Sequence, residues 1–262
     1  MAIKSLLLAA GRGERLKPFT DIWPKCLMPI NGEPLLSIWL NILLDNNIND
    51  ILVNTSYLNK IVESFLKRNI YKDKLILSFE ERLLGTAGTI RANYNYLKNN
   101  TIFLAHADNL CFANFSKFLR SHLERPSHCL ITMMTFKTND PQSCGIIETD
   151  DNNVVIKFHE KVKSPPSNKA NGAVYLIEPD VINWINKEKD VKDFSNDVIP
   201  NFLNKIYCWT NVDKHIDIGT PENLNKAQQV VIPSKYLGAK DEWSVNFEKH
   251  PIHDMIKEYY NI

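Results

Sequence analysis

The stretch IKSLLLAAGRGERLKP, residues 3–18, decides the fold of this chain. Its first half, Ile3 to Ala10, is apolar and predicts a buried strand, and the glycines that follow at Gly11 and Gly13 interrupt that pattern. The apolar run is too short for a membrane span or a secretory leader, so we interpret it as the first strand of a core. A strand that ends in a glycine-rich loop is typical of α/β sheets that bind ligands at the carboxyl ends of their strands.

Strand and helix patterns alternate through the first half of the chain. The predicted strands are Asp50–Thr55, Leu75–Phe79 and Thr101–His106, and the predicted helices are Pro34–Asn46, Asn59–Lys67 and Thr86–Leu97. This alternation predicts an α/β, Rossmann-like fold, in which helices sandwich a mostly parallel mixed sheet. Between residues 129 and 177 the strand patterns are short and separated by turn signals, which predicts a small antiparallel addition, and Ser195–Leu203 predicts a later helix.

Composition excludes several classes of protein. The 262 residues carry a formal net charge of +1, whereas a nucleic-acid-binding protein normally presents a strongly basic face. No segment is long and apolar enough to predict a membrane protein. The five cysteines are scattered and form no CxxC pair, which argues against a disulfide framework or a zinc site. We therefore expect a cytoplasmic enzyme with reduced thiols.

The glycine loop itself is suited to binding phosphate. Glycine lets the backbone approach an anion closely and turn its N–H groups toward it, and Arg12, Arg15 and Lys25 add positive charge nearby. A dinucleotide-binding fingerprint would need a third glycine where this chain has Leu16, and the Gly-Lys-Ser/Thr of a P-loop is absent. On this segment alone, a tight glycine turn with surface arginines remains an equal alternative.

Further motifs follow in order along the chain. LGTAG, residues 84–88, opens a predicted helix, and Asp108 follows a predicted buried strand, where a carboxylate is a natural Mg²⁺ ligand. The pair Glu160–Lys161 precedes NGAVY, residues 171–175, and HIDIGTPE, residues 215–222, contains a helix start at Thr-Pro-Glu. Each motif alone has an ordinary structural interpretation, such as a surface ion pair, a turn or a helix cap.

Taken together and in this order, the motifs resemble those of the sugar-1-phosphate nucleotidylyltransferases over residues 1–230. The loop with PKCL at residues 24–27 is similar to the family's GxGxRLxP…PKPL signature, with Cys26 in place of a proline. The LGTAG form most resembles the mannose-1-phosphate and manno-heptose-1-phosphate guanylyltransferase branch.

The resemblance implies a role for each matching residue. It assigns nucleotide binding to Leu8, Ala9, Ala10, Gly11, Arg12, Gly13, Arg15, Lys25, Gly85, Thr86, Ala87 and Gly88. It assigns sugar-phosphate binding to Gly145, Glu160, Lys161, Asn171 and Gly172. It assigns Mg²⁺ to Asp108 and Asp217, and catalytic charge stabilisation to Arg15, Lys25, Asp108 and Lys161.

The implied reaction converts a nucleoside triphosphate, with GTP favoured, and mannose- or manno-heptose-1-phosphate to a nucleotide sugar and pyrophosphate for polysaccharide biosynthesis. Uridylyl, cytidylyl or thymidylyl transfer to another sugar 1-phosphate remains an alternative. An inactive nucleotide-sugar sensor and a metal-dependent glycosyltransferase are further alternatives, although Asp108 lacks the DxD partner of the latter. We expect residues 1–230 to form the catalytic domain, and the apolar tail 231–262 to pack on it or on a partner subunit, which leaves a homo-oligomer open.

Overall fold

The computed structural model describes residues 3–261. The strands are β1 (Ile3–Leu8), β2 (Pro29–Ile30), β3 (Glu33–Pro34), β4 (Asp50–Thr55), β5 (Leu75–Phe79), β6 (Thr101–His106), β7 (Asn109–Cys111), β8 (Ile131–Lys137), β9 (Gly145–Thr149), β10 (Val155–Glu160), β11 (Lys169–Ile177), β12 (Ile206–Thr210) and β13 (His215–Asp217). The α-helices are α1 (Phe19–Ile22), α2 (Leu35–Asp45), α3 (Asn59–Leu66), α4 (Thr86–Ala92), α5 (Tyr94–Leu97), α6 (Phe115–Glu124), α7 (Pro179–Lys187), α8 (Pro221–Gln228), α9 (Glu242–Glu248) and α10 (Ile252–Tyr260).

The described chain divides into two compact units. Unit 1 contains residues 3–6, 84–105 and 112–215, and unit 2 contains residues 7–83, 106–111 and 216–261. Each unit has its own buried apolar residues, among them Phe103 and Phe194 in unit 1 and Trp39 and Phe65 in unit 2.

Unit 1 carries the mixed and antiparallel strands. Its strand order is β10-β9-β11-β6, followed by the first residues of β1, and β8 pairs with both β11 and β12. The pairs β10–β9, β11–β6 and β11–β8 are antiparallel, and β12 runs parallel to β8. The register of β11 against β8 shifts between Asn171 and Tyr175, and this bulge turns the backbone of Gly172 and Ala173 out of the regular ladder.

Unit 2 carries the parallel strands next to the end of β1. Leu7 and Leu8 close β1, beside which β4 and then β5 follow in the sheet order, and β4 and β5 pair in parallel over five residues each. The strand β4 is buried from its second residue onward, as the run ILVNT predicts for a central parallel strand. The expectation of an α/β fold with a mainly parallel mixed sheet and an antiparallel addition is confirmed.

Two predicted helices are interrupted in the structure. The helix predicted over Thr86–Leu97 ends at Ala92, because the Asn93 side chain and backbone N–H both donate to the Thr89 carbonyl and close the turn, and α5 then begins at Tyr94. The helix predicted over Ser195–Leu203 is instead a π-turn followed by a 3₁₀ turn. Proline at position 200 lacks the N–H that a continuous α-helix would need there.

The sequence patterns did not predict α6, nor the short α1, nor α9 and α10 near the end of the chain. α6 begins after Asn114, whose side chain accepts a hydrogen bond from the Lys117 N–H at 3.0 Å. An asparagine N-cap before apolar residues at helical spacing is the signal that identifies such a helix in a sequence.

Candidate active site

The glycine loop after β1 belongs to unit 2, and buried hydrogen bonds hold the residues from which it starts. Leu8, Ala9 and Ala10 are buried, and the Ala9 N–H donates to Asn54 Oδ1 at 2.7 Å. Asn54 in turn donates to Glu80 Oε1 at 2.9 Å, and both of these polar side chains are buried. The first three residues of the predicted nucleotide set therefore shape the base of the loop, and the accessible part begins at Gly11.

Gly13 is a position where glycine is required. Its φ of 67° is left-handed, and a Cβ there would lie 2.8 Å from Thr20 Cγ2 and 3.2 Å from Lys25 Cβ. The Thr20 hydroxyl donates to the Gly13 carbonyl at 2.9 Å. This close approach brings the loop directly onto the lysine that sequence reasoning selected.

Lys25 lies between the two predicted metal ligands. Its Nζ is 2.6 Å from Asp108 Oδ2 and 3.2 Å from Asp217 Oδ1, and its side chain is only 7 % exposed. Burial disfavours the charge on Lys25, but the two carboxylates outweigh this, so the pKa of Lys25 is raised. Burial likewise opposes ionisation of Asp108, and the Lys25 ammonium overcomes it, so the pKa of Asp108 is lowered. The Lys25 ammonium and the Asp108 carboxylate are therefore both charged near neutral pH.

Backbone contacts bring the two carboxylates together. Asp108 follows β6, Asp217 ends β13, and the Ile218 N–H donates to the Asp108 carbonyl at 3.4 Å. The Gly219 N–H donates to Asp217 Oδ1 at 2.9 Å, and a Cβ on Gly219 would lie 2.9 Å from both that oxygen and Arg15 Nη2. Glycine at position 219 thus leaves the space that Asp217 occupies.

The two arginines of the loop are exposed charges rather than buried ones. The Arg15 side chain is 70 % exposed and approaches Asp217 Oδ2 at 3.8 Å, and the Arg12 guanidinium lies 5.8 Å from the centre of the Tyr57 ring. Both are accessible to a polyanion, whereas Lys25 is already engaged. We refer to Arg15, Lys25, Asp108 and Asp217 together as the charged cluster.

The LGTAG turn belongs to unit 1, and its four predicted residues are placed differently. Gly85 is exposed with φ 78° and ψ 163°, and Thr86 is half-buried. Ala87 and Gly88 are buried, and both of their N–H groups donate to the Lys192 carbonyl, at 2.9 and 3.3 Å. Gly85 and Thr86 can therefore touch a ligand, and Ala87 and Gly88 instead hold residue 192 against the turn.

The predicted sugar-binding residues are assembled in unit 1 on strands β9, β10 and β11. Glu160 pairs with Gly145 across the two strands, and a Cβ on Gly145 would lie 2.7 Å from Glu160 Oε2 and 2.6 Å from the Phe158 ring. The Lys161 Nζ lies 3.4 Å from Glu160 Oε1 and its side chain is 65 % exposed, while its N–H donates to the Cys144 carbonyl. The charged pair is thus directed outward from a strand end that only glycine fits.

The bulge in β11 is built by the next two predicted residues. Asn171 donates through Nδ2 to the Tyr175 hydroxyl at 2.6 Å, and its Oδ1 accepts from the Ala173 N–H at 2.9 Å. His215 Nε2 lies 2.8 Å from the Gly172 carbonyl, and since a carbonyl only accepts, this nitrogen carries the proton. The His215 ring also stacks on Phe136 at 4.1 Å.

Sequence reasoning missed several residues that position the site. Asn54 and Glu80 support the glycine loop, Lys192 supports the LGTAG turn, and Tyr175 and His215 support the β11 bulge. A detectable signal existed only for Asn54, which is a polar residue near the carboxyl end of an otherwise apolar strand.

The described residues contain neither a cluster of three or more metal-binding side chains nor a membrane-spanning helix. Within residues 3–261, no three His, Cys, Asp or Glu side chains are grouped as a metal centre. Over the same range, no helix combines the length and the apolar character that crossing a bilayer requires.

Comparison with curated proteins identifies relatives of similar sequence. Over 227 residues the chain is 29 % identical to the mannose-1-phosphate guanylyltransferase of Mycobacterium tuberculosis, covering 85 % of this chain and 62 % of that protein. Over 234 residues it is 27 % identical to the UTP--glucose-1-phosphate uridylyltransferase of Synechocystis sp., covering 83 % and 60 %. The chain therefore spans less than two thirds of the length of either relative.

Solved structures share the fold. A putative glucose-1-phosphate thymidylyltransferase from Bacillus anthracis superposes with a TM-score of 0.76 at 20 % identity, covering 90 % of this chain and 99 % of that one. HddC from Yersinia pseudotuberculosis, solved with GMP-PN, superposes with a TM-score of 0.71 at 24 % identity, covering 87 % and 99 %. The family model described as nucleotidyl transferase matches residues 4–233. This chain belongs to the nucleotidyl transferase family.

Proposed function

We propose that the protein transfers a nucleotidyl group from a nucleoside triphosphate to a sugar 1-phosphate and releases pyrophosphate. The observation that carries the proposal is the Lys25 ammonium held between Asp108 and Asp217, beside a glycine loop that also presents Arg15. Such a cluster offers both cations for phosphate and carboxylates for a divalent ion. Family membership over residues 4–233 supports the same reaction.

The donor set fits Mg²⁺. This ion is usually held by one or two carboxylates together with substrate phosphates and water, and the two carboxylates of Asp108 and Asp217 are close enough to share one ammonium. When bound there, Mg²⁺ would neutralise phosphate charge as a Lewis acid. Asp108 and Asp217 would hold it, with no third protein ligand required.

The chain's own residues would act mainly by binding and by charge. An oxygen of the sugar phosphate forms a bond to the α-phosphorus, the bond from that phosphorus to the β-phosphate oxygen breaks, and pyrophosphate leaves with the electron pair. The attacking oxygen is already anionic near neutral pH, so no side chain has to remove a proton from it. Arg15 and Lys25 would neutralise the leaving pyrophosphate, and Lys161 would hold the incoming phosphate.

We favour GTP and a manno-configured sugar phosphate as the substrates. The support is the LGTAG sequence at residues 84–88 and the guanylyltransferase among the relatives, at 29 % identity. The uridylyltransferase relative, at 27 % identity, keeps UTP with glucose-1-phosphate as the alternative. Gly85 and Thr86 would contact the base, while Glu160 and the β11 bulge at Asn171–Gly172 would contact the sugar.

The proposal includes a cytoplasmic location. All five cysteines are free thiols, and four of them are buried. Free thiols are the usual state in a reducing compartment.

The test is pyrophosphate release with Mg²⁺, measured for each of GTP, UTP, CTP, dTTP and ATP against a panel of sugar 1-phosphates. We expect turnover with GTP and mannose-1-phosphate or a manno-heptose-1-phosphate. Turnover with UTP and glucose-1-phosphate instead would keep the reaction and overturn the choice of substrates. Tight nucleotide-sugar binding with no release from any pair would favour the inactive sensor.

Asp108→Asn is the matched control for that assay. It keeps the size of the side chain and removes the charge that faces Lys25, and we expect turnover to fall by roughly 10²–10³-fold or more. Undiminished Mg²⁺-dependent turnover in Asp108→Asn would remove Asp108 from the proposed role.

A further inference from the structure

Residues 234–261 lie beyond the part of the chain that the family model matches. They form a 3₁₀ turn at Ser234–Tyr236 followed by α9 and α10, and they belong to unit 2. Four of their apolar side chains are at least 95 % buried, namely Tyr236, Phe247, Ile252 and Ile256. We call residues 234–261 the C-terminal clasp.

The first half of the clasp packs on Trp23, two residues before Lys25. Phe247 of α9 stacks on the Trp23 ring at 5.4 Å with an interplanar angle of 22°, and the His250 ring lies 4.2 Å away. Trp23 Nε1 donates to the Leu27 carbonyl at 2.8 Å. The clasp therefore fixes a side chain that brackets the 3₁₀ turn carrying Lys25.

The second half of the clasp packs on Phe19, four residues before Trp23. The Phe19 ring lies 5.0 Å from that of Tyr259 and 6.1 Å from that of Tyr260 in α10. Phe19 precedes Thr20, whose hydroxyl holds the carbonyl of Gly13. The packing of Phe19 against α10 therefore supports the glycine loop as well as the 3₁₀ turn that carries Lys25.

One hydrogen bond extends this support to the carboxylate side of the charged cluster. The Tyr260 hydroxyl donates to the Pro221 carbonyl at 2.6 Å. Pro221 begins α8 and follows Asp217 by four residues, with Gly219 between them. Tyr260 thus touches both the segment before Lys25 and the segment after Asp217.

We propose that the C-terminal clasp sets the separation of Lys25 from Asp217 and from the glycine loop, with Phe247 and Tyr260 as positioning residues. The inference rests on the proposed function, since it concerns the same charged cluster. A displacement of about 1 Å in a group that acts on the transition state can cost up to roughly 100-fold in rate. The clasp therefore contributes to catalysis without touching a substrate.

The test compares three variants of the full-length protein. Phe247→Leu keeps an apolar side chain but loses the stacking on Trp23, and Tyr260→Phe removes a single hydroxyl. The control is Asp241→Asn, which weakens the 2.7 Å ion pair of the clasp with Arg68, a contact that does not flank the charged cluster. Asparagine also remains a good N-cap for α9.

We expect Phe247→Leu and Tyr260→Phe to lower kcat and kcat/KM together by roughly tenfold or more, because Lys25 acts on the leaving group in the transition state. Asp241→Asn should lower the melting temperature at least as much and leave kcat within about twofold. A rate loss that follows the melting temperature equally across the three variants would overturn the proposal.

Amide hydrogen exchange provides a readout that needs no activity. The Leu16, Leu27 and Met28 N–H groups are hydrogen-bonded within the segment that the clasp supports. Their exchange should accelerate in Phe247→Leu and Tyr260→Phe but not in Asp241→Asn. Unchanged amide exchange rates in both Phe247→Leu and Tyr260→Phe would overturn the proposal that the clasp positions the charged cluster. Absent turnover in the wild-type protein would overturn only the proposed function.

Discussion

Replacing Lys25 with methionine removes the cation from the charged cluster and keeps a side chain of similar length. The ammonium lies 2.6 Å from Asp108 and 3.2 Å from Asp217, and opposite charges about 3 Å apart attract by roughly 5–6 kcal/mol at an effective dielectric constant of about 20. Much of this is offset by desolvation of the ammonium. Removing one partner of a buried pair costs about 3–5 kcal/mol, because the other charge stays buried without compensation. Asp217 is 49 % exposed, so water screens part of the loss and we expect about 3 kcal/mol.

Urea unfolding of both proteins near neutral pH measures this loss as a shift of the midpoint at constant slope. Arg15→Met is the matched control, because Arg15 lies 3.8 Å from the same Asp217 but is 70 % exposed, and its loss should cost less than about 1 kcal/mol. Equal destabilisation by Lys25→Met and Arg15→Met would refute the reasoning, since it would mean that burial of the lysine contributes nothing.

Three further outcomes follow from other parts of the structure. Burial, followed by the nearby Arg125 charge, lowers the pKa of His122 to about 4. The contribution of His122 to the free energy of unfolding is therefore complete above about pH 6.5, and up to about 3 kcal/mol of it is lost as the pH falls toward 4. His122→Gln should flatten the dependence of the urea midpoint on pH over that window, and an unchanged dependence would contradict this expectation. Gly145→Ala places a methyl group 2.7 Å from a Glu160 oxygen, so the KM for sugar 1-phosphate should rise about tenfold or more while that for the nucleotide stays within about twofold; steady-state kinetics with each substrate varied in turn measures both. Lys161→Ala removes an exposed cation without altering a buried contact, so sugar 1-phosphate use should fall and the melting temperature should not, as thermal unfolding would show.

Local patterns predicted three strands in the first half of the chain with accurate bounds. The strands Asp50–Thr55, Leu75–Phe79 and Thr101–His106 are found with the bounds that the alternation predicts, because each is a β-branched or apolar run between polar segments. The helix breaks were harder to foresee. Asn93 ends α4 through its own side chain, and a polar residue at helical spacing gives no hint of which group it will bind.

For the candidate site too, the sequence predicted what depends on local motifs better than what depends on long-range contacts. The order of the motifs selected Lys25, Asp108 and Asp217, and the structure brings these three side chains into contact. Most of the supporting contacts could not be predicted from local patterns, because they join residues that are far apart in the sequence, although Tyr175 lies only four residues after Asn171. Lys192 lies more than a hundred positions after the turn at Ala87 whose N–H it accepts, and no local pattern marks a backbone carbonyl as a partner.

The burial of the cysteines allows one of them to be labelled selectively with a spectroscopic probe. Burial raises the pKa of Cys26 and Cys208 to about 12, Cys111 and Cys129 are buried as well, and Cys144 alone of the five is half-buried. A maleimide or nitroxide reagent at neutral pH should therefore attach at Cys144, since the reagent needs access to the sulfur and the other four thiols are buried. The backbone carbonyl of Cys144 accepts a hydrogen bond from the Lys161 N–H, and Cys144 is next to Gly145 in the sequence. If the proposed function is right, the fluorescence of a dye placed there should change when a sugar 1-phosphate binds to the labelled wild-type protein, before any chemistry occurs.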